Sequence, residues 1–129
     1  MPPRALAILF AAFALCFLAV GWPYWNVPYA QVSLPGTLVG GQLLIVALIA
    51  AVAVALRVGP LPVLAVVGAA TPMAVLVRVL RDASLDPTSH NLWPFELVLA
   101  GGLGFAVALA GVLLGLLAAK ALGLRREEA

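Results

Sequence analysis

Charge is what this sequence has least of. Only 9% of its 129 residues are Asp, Glu, Lys or Arg, while 65% are hydrophobic; a soluble domain is about a quarter charged and about half apolar. A chain this short leaves much of its surface exposed however it folds, so its own core cannot absorb that much apolar side chain. The composition therefore argues against a water-soluble domain and for lipid as the solvent. The few cations, six Arg and Lys120, give a net charge of +2 and cluster at the ends of apolar runs. No basic face exists to track a nucleic-acid backbone.

Cysteine and histidine occur once each, as Cys16 and His90. A single thiol excludes an internal disulfide, and one Cys with one His excludes the clusters that hold structural zinc. No metal or cofactor is expected. Cys16 reads as a small apolar side chain inside a hydrophobic run. Alternation of apolar and polar residues is also missing, which excludes the strands of a membrane barrel. The excess of Arg over Lys, with abundant Ala, Val, Leu and Gly, fits a bacterial source by composition alone.

What is present is four long apolar runs. They fall at about 4–21, 36–56, 61–80 and 95–119, each close to the roughly 20 residues a spanning helix needs. The expected fold is all-α: a polytopic four-transmembrane-helix bundle forming one domain, 1–129. The first run has the charged start of a signal peptide in Arg4, but no small-x-small cleavage site precedes Trp22, so it reads as a retained helix. With the N-terminus inside, Arg4, Arg57, Lys120, Arg125 and Arg126 are cytoplasmic and Arg78 and Arg81 are not. That asymmetry favours N-in/C-in and a bacterial inner membrane. "RVGPLP" makes a tight antiparallel turn between the second and third runs.

The outer loops, 22–35 and 81–94, then share one face and carry Trp22, Tyr24, Trp25, Tyr29 and Trp93, as expected of rings that prefer the headgroup zone. The Pro-rich first loop is expected to pack on the second as an aromatic cap. In the second, "DPTSHNLWPFE" supplies the candidate ligand- or partner-binding residues Asp86, His90, Asn91, Trp93 and Glu96. Most of them also fit routine structural jobs: Asp86-Pro87 opens a turn, Asn91 caps the last helix with Pro94 in its first turn, and Glu96 complements the positive end of the helix dipole. As an enzyme, the chain would have only His90, Asp86 and Glu96 to work with.

No ionisable group is expected deep in any span, which argues against proton- or ion-coupled transport. Arg78, about one turn from the end of its run, is expected to snorkel outward and pair with Asp82 at i+4. The polar groups at depth are Gln42, Thr71 and Cys16; Gln42 bonds across a helix interface, or lines a small cavity with Gly101, Gly102, Gly104 and a Pro72 kink. Gly104, Ala108, Gly111 and Gly115 form a small-residue stripe for close helix packing, within the chain or against another subunit. The leading expectation is a non-enzymatic accessory or assembly subunit of a larger membrane complex, or a homo-oligomer. The alternative is a carrier or binding protein for a small apolar or neutral solute such as a lipid, quinone or pigment.

Overall fold

The computed structural model describes residues 2–26, 41–85 and 93–123. They form four helices: α1 (Pro3–Asn26), α2 (Gly41–Ala55), α3 (Pro60–Leu85) and α4 (Trp93–Ala121). No strand occurs among the described residues. Helices α1, α3 and α4 are long and apolar enough to cross a membrane, and α2 is a shorter apolar helix of 15 residues.

Each expected run contains a helix, but three helices overrun their expected ends, α4 by two residues at each end and so taking in Trp93 and Pro94. α1 continues through Trp22, Pro23, Tyr24 and Trp25 to Asn26, and α3 continues through Arg81 to Leu85. The sequence alone places these segments in the outer loops. The extra turn of α1 is held because its last carbonyls find donors. Asn26 Nδ2 donates to Trp22 O at 2.6 Å, and two arginines of α3 cap the carbonyls beyond it. The rest of the expected loops, 27–35 and 86–92, lies outside the described residues, as does the start of the second run; so does the expected packing of the loops into a cap.

The turn between α2 and α3 is as tight as "RVGPLP" implies. Arg57 N donates to Val54 O at 2.9 Å and Val58 N to Ala53 O at 3.2 Å, the paired bonds of a Schellman stop. Its left-handed residue is Arg57, with φ 72°, where glycine is the usual occupant. Pro60 opens α3, and Val63 N donates back to Gly59 O at 3.2 Å.

Direction can be read from which residues meet. Arg4 of α1 reaches Leu56 at the end of α2, and Trp25 reaches Ala74 on α3. Gly111 and Gly115 of α4 lie on Ala47 and Ala51 of α2, and Gly104 lies on Gly68 of α3. The helices therefore alternate up and down. α1 packs on α2 and α3, and α4 packs on the same two. α2 and α3, although joined by the tight turn, are diagonal partners with slight contact. The ring order is α1, α2, α4, α3, and the neighbours α2 and α4 run parallel.

The close approaches come from the small-residue stripe. A Cβ on Gly104 would stand 2.6 Å from Gly68 O and 2.9 Å from Thr71 Cβ; one on Gly115 would stand 2.7 Å from Ala51 O, and one on Gly111 would strike Ala47 O. The Cα hydrogens at these positions point at carbonyl oxygens instead, a weak contact worth about 0.5 kcal/mol each. Gly68 O lacks the i+4 donor that Pro72 would otherwise supply, and α4 closes over that carbonyl. Gly104, Ala108, Gly111 and Gly115 are all buried, so the stripe is used inside the chain.

The core that results is built of small and β-branched residues: Ala12, Cys16, Val20, Val46, Ala50, Val54, Val67, Ala74 and Val75 are all buried. The large side chains face out, with Phe10 77% exposed and Val98, Leu117 and Leu61 among many others.

Gly104→Val and Gly111→Leu are expected to lower stability by about 1–3 kcal/mol through overpacking, read as a drop in unfolding temperature in mild detergent. Gly102→Ala meets nothing within 4 Å and is expected to be neutral or stabilising by up to about 1 kcal/mol, from helix propensity.

Candidate functional site

The polar groups that meet in this fold lie at the end where α1 and α3 finish. A helix C-terminus leaves its last carbonyls without intrahelical donors and carries partial negative charge. α1 meets that need with side chains of α3. Arg78 Nη1 donates to Tyr24 O at 2.6 Å, and Arg81 Nη2 donates to Trp25 O at 2.9 Å. Trp25 returns the contact, its Nε1 donating to Ala74 O at 2.9 Å.

Arg78 is the centre of the cluster. Its Nε donates to Asp82 Oδ2 at 2.7 Å, one turn along α3, and its Cζ lies 5.5 Å from the centroid of the Tyr24 ring. Asp82 also faces Arg81, at 3.7 Å from Nε. The two guanidiniums that donate to the last carbonyls of α1 carry the sign its dipole favours there. Arg78 is only 2% exposed. The expected i+4 pair with Asp82 is present, but the expected snorkelling is not: the guanidinium turns into the bundle. The reason is local. Tyr24 O and the Tyr24 ring lie across the interface, and together with Asp82 they offer a planar cation hydrogen bonds in its plane and an aromatic ring within cation–π range.

Beneath this cluster lie two polar atoms of another kind. Tyr24 Oη and Thr71 Oγ1 are buried and find no hydrogen-bond partner among the described residues. The phenol end of Tyr24 is within electrostatic range of Glu96 as well as of Arg78 and Asp82. Phe17 meets Trp25 edge-on at 5.1 Å and stacks with Phe13 at 5.8 Å, extending the aromatic packing down α1.

The residues expected to form a site are only partly placed. Asp86, His90 and Asn91 lie outside the described residues. Trp93 is exposed at the start of α4, and Glu96 is half-buried in its first turn, where a carboxylate suits the helix dipole. Gln42 is half-buried near the start of α2. Among the described residues no group of three or more His, Cys, Asp or Glu comes together to hold a metal.

A different concavity is present, an apolar groove of about 350 Å³ between α1 and α2. Ala12 and Ala53 make its floor, and Ile8, Leu15, Ile45 and Ile49 are among its walls. Gln42, Gly101, Gly102, Gly104 and Pro72, the residues expected to enclose a cavity, take no part in this groove. The chain matches no protein-family model, no curated protein and no solved structure.

Sequence reasoning missed Tyr24, Trp25 and Arg81 as members of one cluster. The signal that could have found them is the pair Arg78 and Asp82 inside "AVLVRVLRD", a charged pair flanked on its N-terminal side by unbroken apolar sequence.

Arg78→Ala is expected to cost on the order of 3 kcal/mol, because it strips the α1 end of its main donor and leaves Asp82 beside a vacated, mostly dry position. Arg78→Lys recovers less than half of this, since an ammonium cannot reproduce the planar fork. Arg81→Ala, at a side chain 48% exposed, costs less than about 1 kcal/mol. Thermal unfolding of each variant in detergent orders the three.

Tyr24→Phe and Thr71→Val remove buried hydroxyls that have no partner among the described residues, so both are expected to be neutral or to stabilise by up to about 1 kcal/mol. A loss of more than about 1 kcal/mol in the same unfolding assay would show that the hydroxyl is satisfied in the working protein.

Proposed function

We propose that this chain is a non-enzymatic, multi-pass protein of a bacterial inner membrane, with both termini cytoplasmic, that serves as an accessory or assembly subunit of a larger membrane complex. The observation that carries the membrane part is the distribution of side-chain size. Val, Ala and Gly fill the interior while Leu and Phe cover the outside. In water such a surface is one continuous apolar patch, far beyond what soluble monomers expose. In lipid it is the solvated face, and small interior residues are what lets helices approach without a hydrophobic drive between them.

The accessory role is supported by how the polar groups are used. Arg78 is engaged by Asp82 and by the end of α1, which suits a structural clasp better than a pathway for ions. The stripe of Gly104, Ala108, Gly111 and Gly115 is occupied by α2 and α3. A partner or a second copy must therefore use another face. The rings of Trp22, Trp93 and Phe95, exposed at the clasp end, are the candidate docking surface.

A second reading, a binding protein or carrier for a small apolar solute, is favoured by the groove between α1 and α2. Its volume of about 350 Å³ falls at the small end of the ~300–1,000 Å³ typical of ligand sites.

Topology is testable with single cysteines on a Cys16→Ser background. Asn26→Cys and Ser84→Cys are expected to react with an impermeant maleimide added outside spheroplasts, and Lys120→Cys only after the membrane is opened. Opposite-side labelling of positions 26 and 84 would end the four-crossing arrangement. For the role itself, native mass spectrometry of the chain purified from its own membrane is expected to find it with a larger partner, lost in Trp93→Ala/Phe95→Ala; a lone chain carrying a stoichiometric apolar molecule would favour the second reading.

A further inference from the structure

The first two turns of α4 are held differently from the rest of the helix. Among residues 93–100 only Ala100 is buried, whereas Gly104, Ala108, Gly111, Val112, Gly115 and Ala119 are buried beyond it. Few buried contacts mark the segments of a protein that open most readily. This weakly held arm ends at a pair of glycines. A glycine in a spanning helix ordinarily serves close approach, and Gly104, Gly111 and Gly115 do so here. Gly101 and Gly102 do not: a Cβ on either meets nothing within 4 Å among the described residues. What they supply instead is backbone freedom, at positions where alanine has room and is the better helix former.

Two hydroxyls without partners lie under the arm. Tyr24 and Thr71 are both 0% exposed, and neither Tyr24 Oη nor Thr71 Oγ1 finds a hydrogen bond among the described residues. Thr71 sits beside the glycine pair, its Cβ against Gly104. From there α4 runs antiparallel over α3 toward Arg78, and the charge of Glu96 reaches the Tyr24 phenol. A buried polar group left without a partner costs more than a hydrogen bond gains. Both hydroxyls therefore weigh against the closed arrangement, and water relieves them. Leu97, packed on the core, and Ala100 weigh for it. The opposite wall is fixed, because Arg78, Arg81 and Trp25 fasten the end of α1 to α3. The element left to move is the arm of α4.

We propose that residues 93–100 form a lid, hinged at Gly101 and Gly102, which is closed over Tyr24 and Thr71 in this structure and swings away from the α1–α3 clasp to admit water to both hydroxyls. Such a lid is compatible with either role given above. It makes the clasp end a two-state element, in which unsatisfied hydroxyls set against a small apolar contact keep the two states close in free energy.

The test uses the full chain on a Cys16→Ser background in mild detergent, spin-labelled in pairs at exposed positions. Leu80→Cys with Val98→Cys spans the lid, and Leu61→Cys with Leu117→Cys spans the same two helices at the far end. Pulsed dipolar spectroscopy is expected to give two distances for the first pair and a single narrow one for the second. Gly101→Ala/Gly102→Ala is expected to remove the longer distance. Tyr24→Phe/Thr71→Val is expected to raise the ratio of short to long by at least about fivefold. Amide exchange of the unlabelled chain provides a second measurement, independent of the labels: exchange over 93–100 is expected to slow in both variants, while exchange over 105–119 stays unchanged.

A single narrow distance for the first pair overturns the proposal, as does a longer distance that survives both alanines. Equal broadening of the two pairs overturns it too, since that marks a bundle loose throughout. So does a distance ratio, or an exchange rate over 93–100, that loss of the two hydroxyls leaves unmoved.

Discussion

A guanidinium placed where the solvent cannot reach it sets the terms for this fold. Arg78 is buried to 2% exposure, and an ion so placed is tolerated only if hydrogen bonds and opposite charge replace its water. Asp82 supplies the charge from the same helix, but the remaining bonds come from another one, through Tyr24 O and the Tyr24 ring. The ion therefore cannot be satisfied unless α1 lies beside α3 with its last turn wound. The reverse dependence is as strong, because the carbonyls of that last turn, which lack intrahelical donors, have Arg78 and Arg81 as theirs. Each helix supplies what the other's end lacks.

The other half of the bundle is held by the opposite strategy. Where the α4 glycines meet their neighbours, closeness itself does the holding, with the Thr71 hydroxyl a buried polar group at the Gly104 contact. Glycines at 104, 111 and 115 bring backbone against backbone, where many weak dispersion contacts accumulate. One joint is thus electrostatic and specific, the other steric and intolerant of any added volume. The first fixes which ends meet; the second fixes how deeply the helices interlock.

Much of this architecture was legible in the residues. Four apolar runs became four helices, the "RVGPLP" turn was tight, and Asp82 did pair with Arg78. The small-residue stripe of α4 was also visible, including its helical spacing. What could not be read is what depends on a second segment. Pro23 and its aromatic neighbours look like loop until the arginines that cap them are in place, and Arg78 looks like a snorkelling cation until Tyr24 O is beside it. The groove between α1 and α2 was not foreseen, for a related reason. Polar Gln42 and the glycines near it draw attention in a sequence, whereas Ala12 and Ala53 line a trough only once α1 and α2 lie side by side. The ring order is a third such case: chain neighbours α2 and α3 end up diagonal.

That diagonal arrangement has a bearing on how the molecule comes together. A ribosome delivers the helices in order, and the usual expectation is that each new one settles against its predecessor. Here α3 emerges next to a helix it scarcely touches and must instead find the first one made. α2, meanwhile, has only the grooved and loosely fitted face of α1 for company until the last segment is released. Assembly is thereby postponed to the end of synthesis, and α4 acts as the keystone whose arrival turns three loosely associated rods into a locked ring.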